Sequence, residues 1–593
     1  MKRTIAAAFM GLLLALTTSA DAQRGPRGGG AAAPAAETPE QAHARLLAAE
    51  PYPSAAKCGA CHKQIYDEWR VSNHAYAGIS PMFHKFEQKI SELAPTIGSF
   101  CVRCHMSAGT AQGEARDLPL WKRSQVSREG VTCVSCHRVS EEYGKVNGER
   151  RITPNPVTGP VYGPFGGDGV AAAVKNASAH NVTTDPRGGR ATPIHAAGVK
   201  FEQISKSEFC VSCHQVAVNL GIKLEVVWDQ YRSSPAAKQG TTCQDCHMGK
   251  VPGKAEGYAT GPVAEAMRGG RTLNPNRRRS NHSFFGPGYP IAHPGIFPHH
   301  STEGTEDWTV EKWLKFDYRA RWGSDEFEQE VESGKRKVTF PDDWKDADDR
   351  KTAWRAVEEN LALLEKKKEQ RRQVMENGSR IDGPFFAAAP RAGQGLRFSY
   401  RVTNTDPGHN LPSGSLGAQP EIWLNVALIG PDGKRVWESG HLDSAGDMLD
   451  LHSLDVRAGR AKRDSQLFNL QTKFLTTNVK GTDREMYLPV NFDIDQLPIL
   501  RPPGQPVSVM NHPPFVRMEQ RSLPPLGSRV ANYTVPAAAM AKPGKYRLAV
   551  RLRSRAEPIY FMRFVGATTD MERAMNEWML DIHPYSVEFQ VKE

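Results

Sequence analysis

Ten cysteines stand in five pairs at C-x-x-C spacing with none left over: Cys58 and Cys61, Cys101 and Cys104, Cys133 and Cys136, Cys210 and Cys213, Cys243 and Cys246. Each pair runs directly into a histidine, at His62, His105, His137, His214 and His247. Thiols beside imidazoles admit three chemistries. Disulfides would staple distant segments and have no use for a histidine after every second cysteine. Structural zinc takes four ligands, usually two C-x-x-C pairs per ion, so five pairs strand one of them and leave the histidines unexplained. Covalent haem c uses every residue: two thiols spaced to meet the two vinyl groups, and an adjacent imidazole that reaches the iron. The spacing therefore predicts five covalently attached haems.

Haem also accounts for the charge. The 593-residue chain has 76 Lys and Arg against 65 Asp and Glu, a net charge of +11. Five haems bring ten propionates, which offset that excess without a nucleic-acid partner, and none is expected. With 39% hydrophobic and 24% charged residues the composition excludes a polytopic membrane protein and wholesale disorder. The start, MKRTIAAAFMGLLLALTTSADAQ, places Lys2 and Arg3 before a short apolar run and ends A-x-A at Ala20 and Ala22. That is a secretory signal over 1–22, followed by a Gly-, Ala- and Pro-rich flexible linker over 23–50. The mature chain is expected to be periplasmic or extracellular, with no transmembrane segment.

The elements that must position the motifs follow from pattern. Residues 51–304 hold all five motifs in Gly- and Pro-rich surroundings, a pentahaem cytochrome c domain of short helices and loops with haem as its apolar core. Residues 305–379 turn helical: Trp308, Trp313 and Trp322 stud one stretch, and Trp354, Val357, Leu361 and Leu364 recur at helical spacing toward a stop at Asn377 and Gly378. The charged run KKKEQRR within it reads as a solvated helix face. From 380 to 593 the period becomes two: Leu396, Phe398, Tyr400 and Val402, then Ile422, Leu424, Val426 and Leu428 before the turn GPDG, and later Tyr546, Leu548, Val550 and Leu552. This predicts an antiparallel β-sandwich of immunoglobulin type. The fold class is thus multidomain: a mainly helical and irregular haem domain, a helical connector and a C-terminal β-sandwich.

The stretch CGACHKQIYDEWRVSNHAYAG, with EGVTCVSCH at 129–137, VYGPF at 161–165, HAAGVKFEQISKSEFCVSCH at 195–214, TTCQDCHM at 241–248 and SNHSFFG at 280–286, resembles the multihaem cytochrome superfamily that contains the tetrahaem electron acceptor of hydroxylamine oxidoreductase. The resemblance covers roughly 55–290. GHNLPSG at 408–414 is similar to a turn in β domains appended to such cytochromes. Pentahaem nitrite reductases in the superfamily carry a C-x-x-C-K motif, which this chain lacks.

The resemblance implies that His74, His195 and His282 supply second axial imidazoles. His409 sits before Leu411 and Pro412 in a strand-end loop, where a rigid turn would present its ring to a haem and pin the β domain in place. His84 and His180 are further candidates in the haem region, ahead of His293, His299 and His300. Met106 and Met248, directly after motif histidines, read as packing residues. Two imidazoles per iron suit electron transfer, and an open position suits substrate binding. The expected function is an exported pentahaem cytochrome transferring electrons to redox partner proteins, with the β domain a docking candidate, in anaerobic or chemolithotrophic respiration. The alternatives are a haem enzyme acting on a small nitrogen or sulfur species at a five-coordinate iron, and a subunit of a polymeric haem conduit.

Overall fold

Gly and Pro punctuate the first half of the chain so densely that helices there stop after one or two turns. Four of them end on a motif histidine: Val102–His105, Cys133–His137, Val211–His214 and Cys243–His247. Local chemistry starts them at the right residue. Before Cys243, Thr242 forms a capping box: its hydroxyl accepts the Asp245 N–H at 3.3 Å while its own N–H donates to the Asp245 carboxylate at 2.8 Å. The Thr132 N–H makes the matching bond to Ser135 Oγ at 3.1 Å. A capped single turn places two cysteines and a histidine on one short rigid segment.

The computed structural model describes residues 50–593 apart from 94–97, 144–146, 149, 186–189, 218–222, 266–271, 275, 297–304, 306–307, 415–419, 472, 477–485, 488–515 and 520. The expected signal over 1–22 and nearly all of the linker lie outside the described residues, as do His299 and His300. Residues Ala49–Glu593 make one compact unit. Among the described residues no helix is long and apolar enough to cross a membrane.

Beyond 305 the tryptophans pack on one another. Trp313, Phe316, Trp322, Phe327 and Trp344 form a buried cluster closed by Ala353, Ala356 and Val357. Those last three lie on a 31-residue helix, Ala347–Asn377, whose N-cap Asp346 accepts the Asp348 and Asp349 N–H groups and whose C-cap is Gly378. The charged stretch departs from the expected solvated face: Lys367 and Arg371 are both fully buried. Their i, i+4 spacing puts them on one inward stripe, which the run of like charges hides from a composition argument.

The helix leads straight into β1 (Ser379–Phe386), followed by β2 (Leu396–Asn404), β3 (Glu421–Ile429), β4 (Arg435–Ser439), β5 (Ser528–Val535), β6 (Gly544–Arg555) and β7 (Leu580–Val591). These make two antiparallel sheets, in the orders β5-β2-β1 and β4-β3-β6-β7. On β2 the residues Leu396, Phe398, Tyr400 and Val402 are buried, alternating with more exposed neighbours. On the other sheet Leu424, Val426 and Leu428 of β3 lie opposite Leu552, Val550 and Leu548 of β6. Residues of both sheets share one apolar core. Fully burying each such Leu or Val is worth roughly 1.5–3 kcal/mol.

The β region docks on the motif-bearing half through polar contacts around the end of the long helix. Asn377 Nδ2 donates to Pro252 O at 2.8 Å, Thr405 Oγ1 to Asn377 O at 2.8 Å, and the Ala236 N–H to Pro407 O at 3.1 Å. A second, apolar contact joins Trp69, Tyr76, Ile79 and Met82 to Ile559, Phe561 and Met562 through Leu364.

Candidate haem-binding site

Four of the five motif histidines face a second histidine. The ring centroids of His62 and His195 are 6.2 Å apart, those of His137 and His282 6.3 Å, those of His74 and His214 6.1 Å, and those of His247 and His409 6.0 Å. An iron gripped from both sides by imidazole through bonds of about 2 Å separates the two centroids by roughly 6 Å. Each facing pair offers two donors, the axial complement of a macrocycle that brings four of its own and too few for tetrahedral zinc. The interplanar angles are 8° for His62 and His195, 30° for His137 and His282, 45° for His74 and His214, and 9° for His247 and His409.

Backbone carbonyls set the tautomers. Nδ1–H donates from His62 to Val263 O, from His137 to Tyr162 O at 2.7 Å, from His247 to Phe285 O at 2.6 Å, and from His105 to Ala77 O at 3.3 Å. His282 and His409 do the same, to Ser280 O and Asn410 O, each at 3.0 Å. With Nδ1 occupied by its proton, Nε2 carries the lone pair a metal needs; at His409, Nε2 also lies 3.4 Å from Asp406 Oδ2. Burial keeps the rings neutral: it depresses His74 and His282 to about 3 and His195 to about 4, and lowers His62, His105, His137, His214 and His247 as well.

The carbonyls are delivered by short strand pairs. Val161–Gly163 lies parallel to Gly198–Lys200, which fixes Tyr162 above His137, and Ala259–Gly261 pairs with Arg277–Arg279 just before His282. Glu68, six residues after His62, receives both Arg279 Nη1, at 2.6 and 2.8 Å, and the His282 N–H at 3.0 Å. The helix after the first motif thereby positions the histidine that faces the third.

One continuous cavity is lined by the cysteines and histidines of the motifs at 58–62, 133–137, 210–214 and 243–247 and by His74, His195, His282 and His409, with about 4390 Å³ of empty space including its open mouths. Its wall is mostly apolar, with Arg138, Arg150, Arg277, Arg278 and Arg279 set into it. Arg150 has Nε and Nη2 buried without a hydrogen-bond partner. A void of apolar wall and stranded guanidinium groups fits macrocycles that carry carboxylates. All ten cysteines are free thiols. Cys104 Sγ of the second motif lies 3.9 Å from Ser212 O of the fourth.

The second motif differs from the other four. Its residues do not line that cavity, and the ring stacked on His105 is Phe83, with His84 near enough for its charge to act on His105. Phe83 stacks on the His105 ring at 4.2 Å and 12°. His84 is next in the chain but spends Nε2–H on Gly78 O at 2.8 Å. His180, at the end of the helix Ala177–His180, is paired with no motif histidine. His293 uses Nε2 on Phe316 O and accepts the Gly295 N–H on Nδ1, a structural role. Met106 is buried in a small apolar cluster with Phe83 and Val102. Sequence reasoning had no handle on Phe83, Glu68 or the carbonyl partners; the run of three arginines before SNHSFFG was the visible signal for Arg279.

Residues 57–138 match the family model described as cytochrome c554 and c-prime. No curated protein matches. Among solved structures, the chain is similar over 41% of its length to Pseudomonas fluorescens alkylpurine DNA glycosylase AlkC bound to DNA containing an abasic site analog, at 10% identity and a TM-score of 0.13, the match spanning 39% of that chain. A superposition at that score carries no argument. The family match supports a multihaem c-type cytochrome, with covalently bound haem c and electron transfer as its chemistry.

Proposed function

We propose that the chain is an exported pentahaem c-type cytochrome that passes single electrons in a respiratory chain. In this reading 51–304 is the haem domain, 305–379 a helical connector and 380–593 a β-sandwich that meets redox partners. The observation that carries it is the set of four imidazole pairs at 6.0, 6.1, 6.2 and 6.3 Å around one cavity. His62 with His195, His137 with His282, His214 with His74, and His247 with His409 are the axial pairs, and the ten cysteines the covalent anchors. When bound, haem supplies the one-electron ferric/ferrous couple. The chain's own residues would offer two imidazoles to each of four irons, so that little would have to rearrange on electron transfer. A pyridine haemochrome assay with intact mass on the matured protein tests the count; four haems or fewer would refute it.

A second reading rests on His105. An iron held there by one imidazole keeps a free coordination position, which supports conversion of a small nitrogen or sulfur species at that haem. Binding of nitric oxide or cyanide to one haem of five, with the other four unchanged, is the corresponding test.

A further inference from the structure

Lys367 is a cation with nowhere to go. Its side chain is fully buried, and its ammonium has no hydrogen-bond partner among the described residues. A lone buried ammonium is costly unless something anionic meets it. Burial pushes it down to about 7, with Arg371 adding repulsion.

Its surroundings are short of acceptors in the same way. Arg371, one turn along the long helix, spends Nε on Pro287 O at 2.8 Å and Nη1 on Trp578 O at 3.1 Å, while Nη2 is buried and unpaired. Gln370, between them, reaches Ser283 Oγ at 3.4 Å. This face of the helix thus packs on the segment 283–287, of which Phe284, Phe285, Gly286 and Pro287 line the haem cavity together with Asn73 and His74. Lys367 is not itself among the residues lining that cavity, but its charge acts on the His74 imidazole.

Resting on the haem reading above, we infer that Lys367 is the counter-ion of a propionate on the haem held between His214 and His74. Among the described residues no carboxylate meets this ammonium, and a haem propionate would supply one. The pairing satisfies both, and it explains why a lysine sits at an inward position that otherwise calls for Leu or Met.

A cation beside a propionate offsets negative charge at the macrocycle and favours the ferrous state. In purified holoprotein, Lys367→Met is therefore expected to lower the midpoint of one haem in an EPR-monitored redox titration, that of the 45° imidazole pair, while Lys367→Arg keeps it near the wild-type value. Haemochrome content and the low-spin signal of that haem are read in the same samples. If the wild type lacks that low-spin signal, the ligand assignment fails; if the signal is present and Lys367→Met leaves every midpoint unchanged, the counter-ion assignment fails alone. Should Lys367→Met not mature, a crystal structure of the wild-type holoprotein decides: a propionate on Lys367 Nζ supports the inference, and Nζ without one overturns it.

Discussion

His409 lies beyond β2 in the C-terminal half, yet its ring stands parallel to that of His247 within 9°, at a centroid distance of 6.0 Å. A donor from the β region is thereby set opposite a histidine of the last C-x-x-C-H motif. The loop that carries it is held from both sides. Asn404 Nδ2 donates to His409 O, Leu523 O and Pro524 O at 2.9, 3.2 and 3.1 Å, and Gln230 Oε1 accepts from the Asn410 N–H and from Ser413 Oγ at 3.2 and 2.7 Å.

Replacing His409 by Ala is expected to leave one iron five-coordinate. A new high-spin EPR signal should appear and that haem's midpoint should rise, since bound imidazole favours the ferric state. A variant with wild-type spin state and potentials would assign His409 to turn capping only.

Asn404→Ala leaves the His409 ring intact but removes four hydrogen bonds at a buried position, the fourth accepted by Oδ1 from the Asp406 N–H at 3.0 Å. The expected cost is roughly 2–4 kcal/mol of stability. Because the lost bonds hold the His409 loop, the same EPR signal should appear in part, as a mixture of spin states that heating increases. A stability loss with fully low-spin irons would place Asn404 outside the ligand's support.

The oxidised wild type should show four low-spin haems and one high-spin haem, the latter from the motif at His105. Parallel imidazole planes split the iron's dπ orbitals most strongly, so the pairs at 8° and 9° should give the most rhombic signals and the 45° pair the largest principal g value of the four. Five low-spin signals would mean that a sixth ligand reaches the His105 iron.

Glu557 gives the fold a pH dependence of its own. Its Oε2 is buried without a partner among the described residues, and burial raises the carboxyl to about 7 from the ordinary 4.5. Between those values the folded protein keeps a proton that the unfolded chain has released, so stability falls as pH rises through the window. Glu557→Gln should flatten that decline and raise the unfolding temperature at the alkaline end only. An equal effect on the acid side of the window would exclude the buried carboxyl as the cause.

Much of this was legible in the sequence where the spacing itself is the chemistry. Five C-x-x-C-H runs, the alternation over Leu396–Val402 and Tyr546–Leu552, and the helix stop at Asn377 are local facts, and the structure has short motif helices, strands and a helix end at those places. Which histidine meets which motif was not legible. His195 stands fifteen residues before Cys210, yet its ring faces His62, and His74 crosses to His214. Those pairings are set by tertiary packing through carbonyls and strand pairs with no side-chain signature. Lys367 and Arg371 were missed for a related reason: a like-charge run reads as solvated unless the partner that would bury it is known.

The order of the facing histidines along the chain has a consequence for assembly. Three of the four, His74, His195 and His282, are made before or shortly after the last cysteine, Cys246, whereas His409 follows it by more than 160 residues. A polypeptide threaded N-terminus first would therefore finish the first three pairs while the strands β2 and β3 that flank His409 were still to come. If His409 holds the last iron, that iron would gain its second imidazole only once the strands around His409 had closed.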